Sequence, residues 1–372
     1  MNDRVPVADI KSMLQDRAAS LARTLAPGGH VVGGLYKPRN PTRPDRKPGS
    51  FTVYISGPKA GGFVEYAEVD CRGDAIDFIA YVRFKCRMPP TREQRIEAIQ
   101  WAKDWLGIER MSSDRLAEMR QHAKAAQLKA EKEAVRIAEF KRQLAINLWT
   151  EAVSPTRTYV ESYMWHRGVD LSAIPHKEYS LRFHPAAAHF HVKHSGPAMV
   201  IKVVDPAGAF GGVHVTWISV RGDDKADLEG MPLNDGSGIG VNVKPRLMIG
   251  DIRGGVMRLT RGESGLTPEE AAAQGVRGPL FVGEGAEDAY TAGLARPDLR
   301  CWAAGSLGNL GNLPQLACVD SYIIGRDNDW AKPQAVASFD RAIEKIEKHG
   351  LPIGIASAKV GKDFNDQLRR KA

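Results

Sequence analysis

Only four cysteines occur in 372 residues, Cys71, Cys86, Cys301 and Cys318, and no two of them form a CxxC pair. Thiolate zinc sites and disulfide frameworks need closer or denser spacing, so zinc is not expected and the four are read as reduced thiols. Long apolar runs are also missing. No stretch nears the roughly eighteen residues of a membrane span, and the N-terminus MNDRVPVADIKSMLQDR carries no apolar signal region. A cytoplasmic protein without membrane contact is therefore expected. An ATPase phosphate loop is absent as well: Gly361-Lys362 is followed by Asp363 rather than Ser or Thr, and no glycine stands at the required distance upstream. His184, His189, His191 and His194 crowd one segment, but no cysteine or carboxylate lies among them to complete a metal site.

What the chain does contain exceeds the capacity of one hydrophobic core, and two or three domains are expected. Its formal net charge of +8 is unevenly distributed: residues 1–150 hold 26 Lys+Arg against 18 Asp+Glu, while the remainder balances. A polyanion would meet the first part first. There Lys37, Arg39, Arg43, Arg46 and Lys47 crowd a Pro-rich loop with only Asp45 opposing them. Such a loop suits phosphate contacts that position a nucleic-acid strand, and equally suits a solvated, solubilising surface.

The apolar spacing of residues 7–25 predicts one helix ending at Pro27-Gly28-Gly29. Alternation in Phe51, Val53, Ile55 and in Phe63, Val64, Tyr66, Val69 predicts strands, and helices follow over 74–84 and 92–106. From about Ser112 to Ala152 there is neither Gly nor Pro, which predicts one long charged helix. Residues 155–262 are Gly-rich and strand-like, including Ala198–Val204, Gly212–Val220 and Gly255–Leu259. In the last part short apolar runs (280–283, 299–304, 321–325, 353–356) alternate with helical segments (287–294, 335–349), the pattern of an α/β parallel sheet. The expected domains are 1–110, a helical linker 111–153, a β-rich subdomain 154–275, and 276–372.

In open parallel sheets ligands gather beyond the carboxyl ends of the strands, so the residues following each run carry the chemistry. Here they are acidic: Glu284 after the first run, Asp327 and Asp329 after the third, Asp363 and Asp366 after the fourth. Three carboxylate clusters on one sheet edge repel each other unless a cation binds between them, and Mg²⁺, with Mn²⁺ as a substitute, suits hard oxygen ligands shared with substrate phosphates. The matching chemistry is phosphoryl or nucleotidyl transfer. Glu287, one helical turn beyond Glu284, can face the same cleft.

These motifs, in the order Glu284-Gly285, Gly305-Ser306-Leu307-Gly308, Asp327-x-Asp329 and Lys362-Asp363-Phe364-Asn365-Asp366, resemble the Toprim domain of bacterial primases, topoisomerases and some nucleases, over about 279–370. The resemblance implies acid/base or metal chemistry for Glu284 and Mg²⁺ binding by Asp327 and Asp329. Upstream, Tyr159–Tyr163, Arg167-Gly168, Leu181–Pro185, His214–Trp217 and Gly254–Leu259 resemble the core of Toprim primases carried by phages, plasmids and other mobile elements. That core implies Arg182, Lys225, Arg246 and Arg258, together with Lys362, as contacts to template or nucleotide phosphates; each is otherwise a solvated residue. Lys47-Pro48-Gly49-Ser50-Phe51 and Gly73–Ile79 resemble the zinc-binding module of bacterial primases. Tyr36, Lys37 and Arg39 stand where a ligand pair would be, so a zinc-free version is expected.

The implied function is RNA primer synthesis on a single-stranded DNA template from nucleoside triphosphates, with any replicative helicase a separate partner. Topoisomerase activity is disfavoured because no room is left for DNA-gating domains. A Toprim-type nuclease using the same ion, and a catalytically silent single-strand-binding replication factor, are the alternatives.

Overall fold

The computed structural model describes residues 5–44, 49–68, 70–236, 238, 240–328 and 333–369. Contacts divide the chain into two compact units, Met1–Ile137 and Ala138–Ala372.

In the first unit, the segment expected to be one helix is two, α1 (Val7–Asp16) and α2 (Ala18–Leu25). The break is at Arg17, whose φ of −104° and ψ of 22° leave the helical region, and it lets Ile10, Met13, Leu14 and then Leu21, Ala22, Leu25 reach one core. An antiparallel meander follows in sequence order, β1 (His30–Val32), β2 (Leu35–Lys37), β3 (Phe51–Tyr54), β4 (Phe63–Glu65) and β5 (Arg72–Gly73). Helix α3 (Ala75–Phe84) packs on it, with Phe78 and Tyr81 in ring contact with Phe51 and Phe63, and α4 (Arg92–Leu106) packs on α3. Asp74 caps α3 by accepting from the backbone N–H of Ile76 and Asp77, and Arg95 of α4 pairs with Asp77 at 2.6 Å. Buried Glu65 accepts from Asn40 Nδ2 at 2.6 Å, and Arg43 lies 3.4 Å from the same carboxylate. Arg43 therefore faces acids of its own unit, Lys37 ends β2 and Arg39 is exposed, whereas Arg46 and Lys47 lie outside the described residues. Cys71 is buried, and burial followed by the Glu68 charge pushes its thiol up to about 12.

The long helix α5 spans Ser113–Glu151, within a residue or two of the expected limits. In the second unit, Arg182 donates from Nη1 to Trp149 O at 2.8 Å and to Ala152 O at 3.4 Å, with its guanidinium 4.1 Å from the Trp149 ring centroid. It thus satisfies carbonyls that the end of α5 leaves open. Arg182→Ala is expected to destabilise the protein by about 1–2 kcal/mol in chemical denaturation, while activity below the melting range stays within twofold of wild type. A large fall in activity with unchanged stability would contradict this role.

The second unit continues with α6 (Tyr159–His166) and a four-stranded antiparallel sheet built from β6 (Leu181–Ala188), β7 (Ser195–Val204), β8 (Phe210–Trp217) and, beyond the short hairpin of β9 (Met231–Pro232) and β10 (Gly240–Val241), β11 (Arg246–Gly250). Its order is β11-β8-β7-β6. Strand β12 (Met257–Arg258) leads through α7 (Pro268–Ala273) to β13 (Gly278–Gly283), α8 (Ala286–Ala295), β14 (Arg300–Ala303), α9 (Leu307–Leu310), β15 (Val319–Arg326), α10 (Pro333–Ile346), β16 (Ile353–Ser357) and α11 (Phe364–Arg369). The second sheet has the order β12-β14-β13-β15-β16. Its β13, β14, β15 and β16 are parallel as expected, and β12, read from sequence as part of the middle region, joins its edge antiparallel through Met257↔Ala303 and Arg258↔Trp302. Met199, Ile201 and Val203 of β7 share a core with Phe281 of β13 and Tyr290 of α8. No helix among the described residues is long and apolar enough to cross a membrane.

Candidate active site

Strand β13 is an apolar run buried over Leu280–Gly283, and the chain leaves it at Glu284, whose carbonyl accepts from the Gly305 N–H at 2.9 Å. Gly285 then opens α8; a Cβ there would stand 3.1 Å from the Asp288 carboxylate, so a larger residue would crowd this turn. Strand β15 ends at Arg326 and delivers Asp327. The next residue, Asn328, ties this strand end to the loop beyond β16. Its Nδ2 donates to Ala358 O and Gly361 O, both at 2.9 Å, and its N–H donates to Lys362 O at 2.7 Å. Asp363 caps α11 by accepting from the Asp366 N–H at 2.7 Å, and Asp366 accepts from the Lys362 N–H at 3.2 Å.

Glu284, Glu287, Asp288, Asp327, Asp363 and Asp366 line one cleft of about 220 Å³ at the carboxyl edge of the parallel strands. Its other walls carry Arg167, Lys225, Lys244, Arg246 and Lys362. Lys362 Nζ lies 3.6 Å from Asp327. The structure thus gathers most of the expected acidic residues with Lys225, Arg246 and Lys362. Asp329 lies outside the described residues. Arg182 is occupied at the end of α5, and Arg258 is buried against Glu269 at 2.7 Å and over Trp302, so neither lines the cleft.

The carboxylates differ in electrostatic state. Burial, then the charge of Asp327, pushes Glu284 above the usual carboxylate range, and its side chain makes no hydrogen bond among the described residues. Burial, then Asp363, pushes Asp288 up to about 8, although the Asn365 N–H donates to it at 2.9 Å. Glu287 behaves oppositely: burial works against its charge, but Lys225 at 2.9 Å and the Tyr163 hydroxyl at 2.8 Å hold it down to about 2.

Sequence reasoning passed over Lys244, Arg167, Asp288, Asn328 and Asn365 as site residues. Lys244 stands two residues before Arg246 on the approach to β11, and Asp288 follows Glu284 by one helical turn, so period-2 and i,i+4 spacing were the available signals. Nothing local marked Asn328, whose partners lie about thirty residues away.

The donor set is oxygen only, the Glu284 side chain has no hydrogen-bond partner among the described residues, and neighbouring charge raises Glu284 and Asp288; these features fit a hard divalent cation. Among the described residues, no three His, Cys, Asp or Glu side chains stand at metal-ligand spacing.

The cleft lies beyond the carboxyl ends of the strands of an open α/β sheet, where such folds place their ligands. Residues 279–372 match the family model described as Toprim domain, and the C-terminal part of the chain is a Toprim domain. Residues 139–259 match a domain of unknown function (DUF7146). No curated protein matches the chain. Among solved structures, the chain is similar to the zinc-binding and RNA polymerase domains of the Aquifex aeolicus primase, at 16% identity over 97% of this chain and 82% of that one, with a TM-score of 0.36. It is also similar to a DnaG primase catalytic domain bound to single-stranded DNA (14% identity, 64% and 79% coverage, TM-score 0.39). A third likeness is to the E. coli primase catalytic core (14%, 63% and 74%, 0.35).

Proposed function

We propose that this protein is a primase-type nucleotidyltransferase that makes short RNA primers on single-stranded DNA, in the replication of a phage, plasmid or integrated element, beside a separate helicase. The observation that carries the reading is the meeting of Glu284, Asp327 and Asp363 in one cleft that is also lined by Lys225, Lys244, Arg246 and Lys362. Glu284, Asp327 and Asp363, with Asp329 by resemblance, would hold Mg²⁺ or Mn²⁺, an ion that when bound neutralises charge on the attacking and leaving oxygens. Lys244 and Arg246, both exposed at the cleft, attract the triphosphate, and Lys362 beside Asp327 adds to that field. The basic residues of the first unit, Lys37 and Arg39 among them, serve template capture.

Incubation with single-stranded DNA, ribonucleoside triphosphates and Mg²⁺ is expected to yield short labelled RNA. Strand cleavage without incorporation would instead make the protein a nuclease. Salt-sensitive binding with neither reaction would make it a binding factor.

A further inference from the structure

One buried group in the cleft wall has a different arrangement from its acidic neighbours. Glu287 is 8% exposed, and its Oε1 receives both the Tyr163 hydroxyl at 2.8 Å and the Lys225 ammonium at 2.9 Å. The three partners come from three separate segments: α6, the loop after β8, and α8. The residue before Lys225 is gripped too, since Arg167 pairs with Asp224 at 2.5 Å while its guanidinium lies 5.2 Å from the centroid of the Tyr163 ring. Two successive residues of an exposed loop are therefore stapled to helices of the cleft. The Lys225 side chain remains about a quarter exposed and lines the cleft. An ammonium has three donors and Glu287 accepts one, which leaves others for an anion.

We infer that Glu287 is a positioning residue rather than a metal ligand: it holds Lys225 so that the ammonium meets a phosphate of the incoming nucleotide. This rests on the nucleotidyl-transfer reading above. A free lysine gives up rotamer freedom when it grips a phosphate; a lysine already held has given it up on folding, and its contact with ligand is stronger by that difference.

The full-length Glu287→Gln variant keeps the shape and removes the charge. Its affinity for mant-ATP in EDTA, read by fluorescence anisotropy, is expected to fall by about tenfold, with the KM for ATP rising similarly and kcat within about threefold. Mn²⁺ affinity, read by electron paramagnetic resonance, is expected to stay within about twofold of wild type. Lys225→Met should weaken mant-ATP at least as much, and adding Glu287→Gln to it should change nothing further, because the two act as one unit. Should Glu287→Gln fail to fold on thermal melting, Tyr163→Phe, which removes one donor and leaves the ion pair, carries the same comparison with a smaller loss of mant-ATP affinity. Tighter mant-ATP binding in Glu287→Gln would mean that the carboxylate merely cancels a charge, and loss of Mn²⁺ binding would make it a ligand; either overturns the inference. A wild-type protein that binds neither probe overturns the nucleotidyl-transfer reading itself.

Discussion

Glu284→Gln and Asp327→Asn are each expected to lower primer synthesis by at least about a hundredfold at saturating Mg²⁺ and nucleotide. Each removes one negative ligand from a cleft where the ion's charge stabilises the transition state, and a loss of about 3–4 kcal/mol of such stabilisation corresponds to roughly two to three orders of magnitude in rate. Both substitutions keep the side-chain volume, and neither should unfold the protein. Glu284 is half-buried and repelled by Asp327, so Glu284→Gln removes a repulsion and is expected to raise the melting temperature in EDTA. Addition of Mg²⁺ should then stabilise wild type by mass action and the variants less. Steady-state incorporation and thermal melting with and without Mg²⁺ test both halves. Near-wild-type incorporation in either variant would rule out a shared ion at this edge.

Asp288→Asn is expected to remove most of a fall in stability that wild type shows as pH rises. The carboxyl group has an ordinary value of 3.8 and is pushed up to about 8 in the folded chain by burial, then by Asp363. Between roughly these limits the folded state binds more protons than the unfolded state, so stability declines with increasing pH across the window. Below it both states are protonated; above it the full cost of the buried charge is present. The slope is at most about 1.4 kcal/mol per pH unit for one group. Asparagine keeps an acceptor for the Asn365 N–H, so the comparison isolates the charge. Denaturation in EDTA at pH 5, 6, 7 and 8 should give curves for wild type and variant that already differ at pH 5 and diverge further toward pH 8, the variant being the more stable. Parallel curves would show that Asp288 does not carry the proton.

Much of the fold was legible in the chain. The alternation of apolar runs and helices after residue 278 corresponds element by element to β13 through β16 and their helices, because a buried parallel strand must be apolar along its length and must be followed by a crossover. The long helix was equally plain, since some forty residues without Gly or Pro have few other options. The break at Arg17 was not, because Arg17 and its neighbours fit a helix well and the bend serves only the packing of both halves on one core. Recruitment of β12 to the C-terminal sheet was hidden for a similar reason: a two-residue strand is defined by its partner rather than by its own pattern.

The same division runs through the site. Sequence alone determined that carboxylates follow successive strands, because the end of an apolar run is a local fact and the geometry of a parallel sheet carries every such end to one edge. It could not decide which long side chains belong to the cleft. Arg182, Arg258 and Arg246 look alike in a row of letters, yet the first closes a helix end, the second is buried against Glu269, and only the third faces the carboxylates. Glu287 likewise became the holder of Lys225 only through Tyr163 and a loop more than sixty residues upstream. A charged side chain spans several ångströms and takes whichever partner tertiary packing brings within reach, so its role is a property of the folded neighbourhood and not of its place in the chain.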